Sequence, residues 1–339
     1  MTNWLNLTDE QKRTSLIQAG INSGIPAKAI EKDWWVTLML KALFRTQYAK
    51  SLIFKGGTSL SKCWKLIERF SEDIDIALDP MVFGMEYNER PGSGYLNRLK
   101  RRGCAFTSNE LKEALNLELR NLGVADGVVE ILAGEIKPEM KDKDPQELYV
   151  KYTSLFDPNP YLADEVKIEV SVRSKLEPFT EMPVNSLLNE FFPNDAYSSE
   201  PFNIQVVEPH KTFLEKAFLL HEEFYKKDNT KIRTDRMSRH YYDLERMMDT
   251  ETSNKALTDQ PLYTAIILHR SYYNKFKDLD YQLLNTSFID FYPPEEFIDE
   301  YKQDYAVMRE NMIHGSSLDP SQLFERIKLL LKRFRDAPN

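Results

Sequence analysis

The sequence predicts an α+β protein, with the strands between about residues 50 and 175 and helices throughout the last third of the chain. Two patterns indicate this. Short apolar runs, some alternating strictly with polar residues, occur between residues 51 and 172. From Glu208 onward apolar residues recur at helical spacing, and Pro209 and Pro320 stand where prolines commonly begin helices. We therefore expect a first domain over residues 1–207, with helices at its N-terminus, and a helical C-terminal domain over residues 208–339.

The composition is that of an ordinary globular protein, with 42% hydrophobic residues among 339 and a net charge of −8. This charge argues against indiscriminate nucleic-acid binding over the whole surface, while leaving room for a local basic patch. The first residues lack the pattern of a secretory signal, and the apolar stretch from Trp34 to Phe44 is too short to span a bilayer. We expect a cytoplasmic protein with no membrane partner.

Cysteine and histidine usage argues against zinc chemistry. Cys63 and Cys104 are the only two cysteines, too few for a disulfide framework or a thiolate zinc site, and we expect two buried thiols. The five histidines show no HxxxH spacing.

Residues 1 to about 50 predict helices. The first begins near Thr8, with Gln11 three positions later, and the second follows an apolar stripe over residues 29–43. The charged tripeptide Glu31–Asp33 interrupts this stripe. A solvated helix turn is the commoner place for such residues, and the alternative is that they reach a site.

The stretch from Ser51 to Asp79 predicts a functional site. Residues 52–54 form a buried strand, Gly56-Gly57 a turn, and Thr58 or Ser59 the N-cap of a helix. The glycines allow a phosphate to approach backbone N–H groups at the start of that helix. The commoner phosphate signatures are absent, since the chain has no GxxxxGK[ST] motif.

Two aspartates lie in the second apolar run of this stretch, Asp73-Ile74-Asp75-Ile76. Because side chains alternate along a strand, Asp73 and Asp75 point to one face while the isoleucines point to the core. Two carboxylates so close repel each other, and a divalent cation relieves that repulsion. The stretch therefore predicts a metal-dependent site that handles phosphate.

A loop at residues 91–94 and a basic cluster at residues 98–102, expected as a solvated face, precede a helix from about 108 to 122. Strands follow at about 147–154 and 166–172. In the second of these strands Lys167, Glu169 and Ser171 alternate with buried apolar residues. Glu169 thus lies on a polar face that is free to adjoin the two aspartates.

The last third is helical. Lys216 lies beside the broad apolar surface of the helix that Pro209 opens, and a basic segment over residues 226–240 reverses the overall negative charge. Arg239 and Asp243 are one turn apart on the next helix. Further helices are predicted at about 256–276, 294–311 and 320–335.

These residues carry a resemblance to a known family. The run from Phe54 to Leu60, FKGGTSL, with RFSEDID ending at Asp75, resembles the first motif of the AbiEii/AbiGii toxin family of nucleotidyltransferases, in the polymerase-beta-like superfamily. Three later segments resemble the remaining motifs in order, and the resemblance spans about residues 25–250. The three segments are Lys167-Ile168-Glu169, Thr212–Ala217 with its lysine, and Arg239–Leu244. The first has Glu169 where the family more often has Asp as the third acid, and the last has His240 where lysine or aspartate is more usual.

The resemblance implies a polymerase-beta-like core, a small mixed sheet with flanking helices, followed by a helical C-terminal domain, with the nucleotide between them. Two Mg²⁺ ions would be held by the three acids. Lys216 would neutralise phosphate charge, Asp243 would position Lys216 or the acceptor, and Arg239 would contact the triphosphate or only pair with Asp243. The implied ligands are Asp73, Asp75 and Glu169 for metal, and Gly56, Gly57 and Thr58 or Ser59 for the β and γ phosphates.

The family points to transfer of nucleotides from a nucleoside triphosphate (NTP) to tRNA 3′ ends, by the toxin of a type IV-like toxin–antitoxin or phage-defence pair with a cognate antitoxin. The basic segment 226–240 would then hold RNA phosphates. One alternative is a nucleotidyltransferase that modifies a protein or a small molecule. Another is a non-catalytic nucleotide-binding module, against which the intact acid set argues. A metal-dependent nuclease would need no glycine turn for a triphosphate.

Overall fold

A computed structural model of the chain describes residues 1–136, 143–159, 162–226, 229–274, 276 and 279–337. These residues divide into two compact units. The first unit comprises Met1–Cys63, Phe70–Tyr87 and Ser93–Val207. The second comprises Trp64–Arg69, Asn88–Gly92 and Glu208–Asn339, so it includes two short segments from the first third of the chain.

The first unit is built on a mixed sheet of seven strands in the order β3-β4-β5-β2-β1-β7-β6. The pairs β2·β5 and β1·β7 are parallel and the other neighbours are antiparallel. The α+β class is confirmed. The strands are β1 (Leu52–Lys55), β2 (Ile74–Leu78), β3 (Val129–Ala133), β4 (Gln146–Tyr152), β5 (Glu165–Ser171), β6 (Phe179–Val184) and β7 (Phe202–Val207).

Four of these strands match the sequence prediction and three were not predicted. In β6 only Val184 is buried and Pro183 interrupts the run, so the strand lacks the alternation that marks a half-buried strand. In β3 a single residue, Ile131, is buried. The alternation of Ile204 and Val206 in β7 is a signal that was available and was missed.

The N-terminal helices are α1 (Asp9–Ser23) and α2 (Ala27–Leu43). The predicted start of α1 is confirmed, because Thr8 and Gln11 form a capping box. Every residue of α2 from Ala29 to Leu40 is buried, and the helix contacts α1 and β5. The expectation that Glu31–Asp33 is a solvated turn is therefore wrong.

Helix α3 (Gly56–Lys62) begins directly where β1 ends, with Lys55 as its N-cap. No separate glycine turn intervenes, and neither Thr58 nor Ser59 caps the helix, so both of those expectations are wrong. The remaining helices of the first unit are α4 (Ser93–Phe106), α5 (Lys112–Asn121) and α6 (Leu187–Phe191).

The predicted helix at 108–122 is part of a longer helical region, because a π-helical turn over Thr107–Leu111 joins α4 to α5. The basic cluster lies on α4, where Arg98, Arg101 and Arg102 are exposed, as expected of a solvated face.

The second unit contains six helices among the residues described. Residues 256–276 do not form one helix, because Asp259 interrupts the run and its side chain caps the next helix by accepting a hydrogen bond from the Leu262 N–H. Tyr241 packs edge-on against both Tyr301 and Phe324 in the core. The helices are α7 (Pro209–Phe224), α8 (Ser238–Met247), α9 (Glu251–Thr258), α10 (Gln260–Tyr273), α11 (Ile298–Asn311) and α12 (Pro320–Arg335).

The expected burial of the two cysteines is confirmed. Cys63 and Cys104 are both buried, and no disulfide joins them. Within the described part of the chain, none of the helices has the length and apolar character needed to cross a membrane.

Candidate active site

Asp75 and Glu169 are register partners on the parallel strands β2 and β5. Register partners on neighbouring strands point to the same face of a sheet, so the two carboxylates lie side by side. The residues on either side of them, Ile74 and Ile168 among others, are buried on the opposite face. The strand pairing therefore brings together one aspartate and the acid that the sequence placed about 95 residues later.

Asp73 joins this pair through a lysine. The Lys167 Nζ atom lies 2.6 Å from Glu169 Oε1 and 3.4 Å from Asp73 Oδ2. Burial raises the pKa of Asp73, and the positive charge of Lys167 opposes this increase. Burial lowers the pKa of Lys167, but the hydrogen bond to Glu169 and the charge of Asp73 raise it more, so the side chain is a cation at neutral pH.

The donor chemistry of the three acids fits a divalent metal ion, since Mg²⁺ prefers carboxylate oxygens. Among the described residues, however, no three or more Asp, Glu, His or Cys side chains come close enough together to hold an ion. Asp73, Asp75 and Glu169 share a face without converging on one point. Side-chain rotation is needed before all three contact one cation.

Gly56 lies against the carboxylate of Asp75. Its φ angle is +78°, in the left-handed region, and a Cβ atom added there would come within 2.0 Å of Asp75 Oδ2. The absence of a side chain thus serves both the backbone conformation and the position of Asp75. Gly57, next along α3, is half-buried.

The hydroxyls of Thr58 and Ser59 are buried and engaged within the protein. The Thr58 hydroxyl donates to the Asp73 carbonyl oxygen at 2.5 Å and lies 2.9 Å from the Ser71 hydroxyl. Ser59 donates to the Gly56 carbonyl oxygen at 2.8 Å. Thr58 therefore fixes the loop that leads into β2, and any phosphate contact at this end of α3 would use backbone N–H groups. The phosphate-binding role of these residues stays a prediction.

Helix α2 holds the same loop from the other side, which the sequence prediction missed. The buried Lys32 Nζ lies 2.9 Å from Glu72 Oε2, and it donates to the Ala163 carbonyl oxygen at 2.7 Å. Asp33 accepts a hydrogen bond from Lys62 Nζ at 2.5 Å. The available signal was a run of charges inside an apolar helix, which indicates buried ion pairs when the helix is buried all round.

In the second unit, Asp243 is fully buried between two cations. Arg69 Nε and Nη2 each donate to it at 2.7 Å, and Lys216 Nζ lies 2.9 Å from Oδ2. Burial would raise the pKa of Asp243, but the charges of Arg69 and Lys216 hold it well below its usual range. The structure thus brings Lys216 and Asp243 together, and it adds Arg69, a partner that the sequence prediction missed.

Arg239 and His240 lie close to the same cluster. The positive charge of Arg239 contributes to lowering the pKa of Lys216, after burial as the largest cause. Burial, and then the charge of Lys216, lowers the pKa of His240 well below its ordinary value, so its ring is neutral. The charges of Asp243, Arg69 and Arg239 thus all act on the buried Lys216 ammonium group.

The basic segment 226–240 is partly neutralised within the second unit. Glu223 pairs with Lys226, and it accepts from Arg233 through Nη2 at 2.7 Å. The backbone N–H of Arg236 donates to Asp304 at 2.7 Å. Lys227 and Asp228, which belong to the same segment, lie outside the described residues.

Comparisons with known proteins bear on this site. Residues 38–337 match the family model described as the nucleotidyl transferase AbiEii toxin of the type IV toxin–antitoxin system. A similar solved structure is MenT4, a nucleotidyltransferase toxin from Mycobacterium tuberculosis H37Rv, with 16% sequence identity and a TM-score of 0.47 over 97% of this chain and 99% of that chain. A search of curated proteins finds no match.

The family match covers most of the chain, far beyond the motifs that first indicated it, and it confirms the resemblance. Nucleotidyltransferases of this kind use an NTP and a divalent metal ion. The chain belongs to the AbiEii family of nucleotidyltransferase toxins of type IV toxin–antitoxin systems, and it is an enzyme that transfers nucleotides.

Proposed function

We propose that the enzyme transfers nucleotides from an NTP to an RNA acceptor, the 3′ end of tRNA, in a magnesium-dependent reaction in the cytoplasm. The observation that carries this proposal is the pairing of Asp75 with Glu169 on adjacent parallel strands, with Asp73 joined to them and Gly56 against Asp75. Transfer of a nucleotide releases pyrophosphate, so the site has to accommodate a triphosphate and the attacking hydroxyl.

The metal ligands are Asp73, Asp75 and Glu169. Two bound magnesium ions would neutralise phosphate charge and increase the nucleophilicity of the acceptor hydroxyl. The carboxylates lie on a partly buried polar face of the sheet, and the neighbouring isoleucines anchor both strands in the core. Asp75 and Glu169 are therefore held by regular strands, which favours a defined geometry, and Asp73 directly precedes β2.

Phosphate binding is assigned to two groups of residues. The lack of a side chain at Gly56 and Gly57 would let an anion approach their backbone N–H groups. Lys216 and Arg239, whose charges lie close enough to affect each other, would neutralise phosphate charge. Asp243, which accepts from Lys216, would position that ammonium group.

A second candidate acceptor is a protein or a small molecule, with the same chemistry at the phosphate. The pairing of Lys226 and Arg233 with Glu223 favours it, because it leaves fewer cations in the basic segment for RNA phosphates. The family also implies a cognate antitoxin as a partner of the toxin.

The test incubates the protein with each labelled NTP, magnesium, and either total RNA or total protein. We expect label in RNA, at the 3′ end of tRNA, and no label with Asp73→Ala. Label in protein instead would favour the second candidate. Nucleotide binding without label in any acceptor would contradict both.

Glu169→Gln provides the matched test of the third acid. This substitution removes one negative charge and preserves the shape of the side chain. Turnover should fall about 10²-fold or more, while nucleotide binding persists. An unchanged rate would remove Glu169 from the site.

A further inference from the structure

We infer that Lys167 is an internal counter-ion which occupies the cation position between Asp73 and Glu169 and must be displaced when a divalent metal ion binds. This inference rests on the proposed assignment of these acids as metal ligands. It makes Lys167 a residue that sets the affinity of the enzyme for its metal.

The first argument is the position of the ammonium group. Lys167 precedes Glu169 by two residues on β5, so both side chains point to the acid face of the sheet. Its Nζ atom contacts Glu169 at 2.6 Å and Asp73 at 3.4 Å. A metal ion that bridges these two carboxylates would take the same region, and two cations cannot share it.

The second argument is the arrangement of the acids around it. The described residues form no ready cluster of three metal-binding side chains, although three carboxylates share one face. With its positive charge in place, Lys167 already relieves the repulsion between Asp73 and Glu169. The acids therefore have no electrostatic reason to converge until a stronger cation replaces the ammonium group.

The third argument is that the displaced side chain has an acidic neighbour. On β4, Tyr149 is the register partner of Lys167, and Glu147 is the register partner of Glu169. Both point to the acid face, and the Tyr149 hydroxyl donates to Glu147 at 2.9 Å. Adjacent strands lie about 4.8 Å apart, within reach of a lysine side chain. Glu147 already pairs with Lys143, and Lys167 can turn toward the same carboxylate and remain near a negative charge.

Metal binding to the protein provides the test, with no need for turnover. Free Mn²⁺ is measured by electron paramagnetic resonance at low ionic strength, for wild type, Lys167→Met and Lys151→Met. Lys151 is an exposed lysine on the same face of β4, so its removal changes the net charge equally. Lys167→Met should bind Mn²⁺ about tenfold more tightly, the effect of one charge about 5 Å from a divalent ion. Lys151→Met should stay within about twofold of wild type.

Thermal melting with and without Mn²⁺ gives a second readout. Without metal, Lys167→Met should melt below wild type because its carboxylates repel each other. Mn²⁺ should raise its melting temperature more than that of wild type or Lys151→Met. Lys167→Arg keeps the charge and should bind Mn²⁺ as wild type does. If Lys167 served only to hold the sheet together, Lys167→Met would bind Mn²⁺ no more tightly than Lys151→Met, and that result overturns the inference.

Asp75→Asn separates this inference from the proposed function. If Asp75→Asn binds Mn²⁺ as well as wild type, the acids are not the metal ligands, and the inference falls with that assignment. If Asp75→Asn loses the site while Lys167→Met behaves like Lys151→Met, the metal assignment stands and only the role of Lys167 is refuted.

Discussion

Replacement of Gly56 by alanine should disable the enzyme out of proportion to its effect on stability. The new Cβ atom would come within 2.0 Å of Asp75 Oδ2 and 2.7 Å of its Cγ atom. The carboxylate of Asp75 must therefore rotate away from α3. Because Asp75 is one of the proposed metal ligands, the change reaches the chemistry while leaving every ionisable group in place.

The cost to stability has two parts. A φ angle of +78° costs alanine about 1–2 kcal/mol relative to glycine. Moving the carboxylate adds about 1 kcal/mol, the lower end of what overpacking costs, because a short, partly exposed side chain can turn. The free energy of unfolding should fall by about 2–3 kcal/mol. Displacement of a reacting group by about 1 Å costs about 10²-fold in rate.

Gly24→Ala is the matched control. Gly24 has a φ angle of +75° and no atom near the added Cβ, so it carries the same backbone strain without the collision. Urea unfolding and label transfer from NTP should be measured for both variants. Gly24→Ala should lose about 1–2 kcal/mol and keep the wild-type rate. If Gly56→Ala transfers label at the wild-type rate, the position of the Asp75 carboxylate beside Gly56 is not needed for catalysis, and the reasoning is refuted.

Three further predictions concern charges outside that contact. Asp243→Asn should lower the free energy of unfolding in urea by about 3–5 kcal/mol at pH 7, because two buried cations lose their carboxylate. The pKa of Asp243 is lower in the folded than in the unfolded protein, so the stabilisation it provides is present above about pH 4 and is lost as the pH falls. The difference in free energy of unfolding between wild type and Asp243→Asn must therefore become smaller toward pH 3. Lys32→Met should cost roughly 2–3 kcal/mol in the same measurement. The change of the exposed Lys255 to Met should cost less than about 1 kcal/mol, and equal losses would contradict the buried role of Lys32. Burial lowers the pKa of His221 to about 4, so the free energy of unfolding should decrease as the pH falls from about 6.5 toward 4, where the unfolded state takes up a proton more readily than the folded state. His221→Gln should remove this pH dependence. An unchanged pH dependence in the variant would show that other groups cause it.

Local patterns in the sequence were enough to predict strands β2 and β5, which position Asp75 and Glu169. The alternation of Asp73 and Asp75 with isoleucines, and the same alternation at Glu169, predicted carboxylates on polar strand faces; the structure shows this for Asp75 and Glu169, while Asp73 directly precedes β2. The Thr8 capping box and the apolar stripe of α2 were likewise visible. Such features depend on residues within one or two turns or on one strand, so periodicity and caps determine them.

Local patterns were not sufficient where an element lacks its own signal. Strand β6 has one buried residue and a proline, so its pairing with β7 supplies the stability that its sequence does not. The charges of Glu31–Asp33 suggested a solvated turn. Whether a helix is buried depends on the elements that pack around it, which the local sequence does not show. The sheet and neighbouring helices around α2 decided that these charges are paired inside the protein.

The sequence by itself determined the family and the strand faces on which Asp75 and Glu169 lie. Only the tertiary structure decided which charges meet. Arg69 reaches Asp243 across 174 positions, and Lys167 lies between Asp73 and Glu169 because β2 and β5 pair in one particular register. The physical reason is that a buried charge takes whichever opposite charge the packing brings to it, and packing depends on the whole chain.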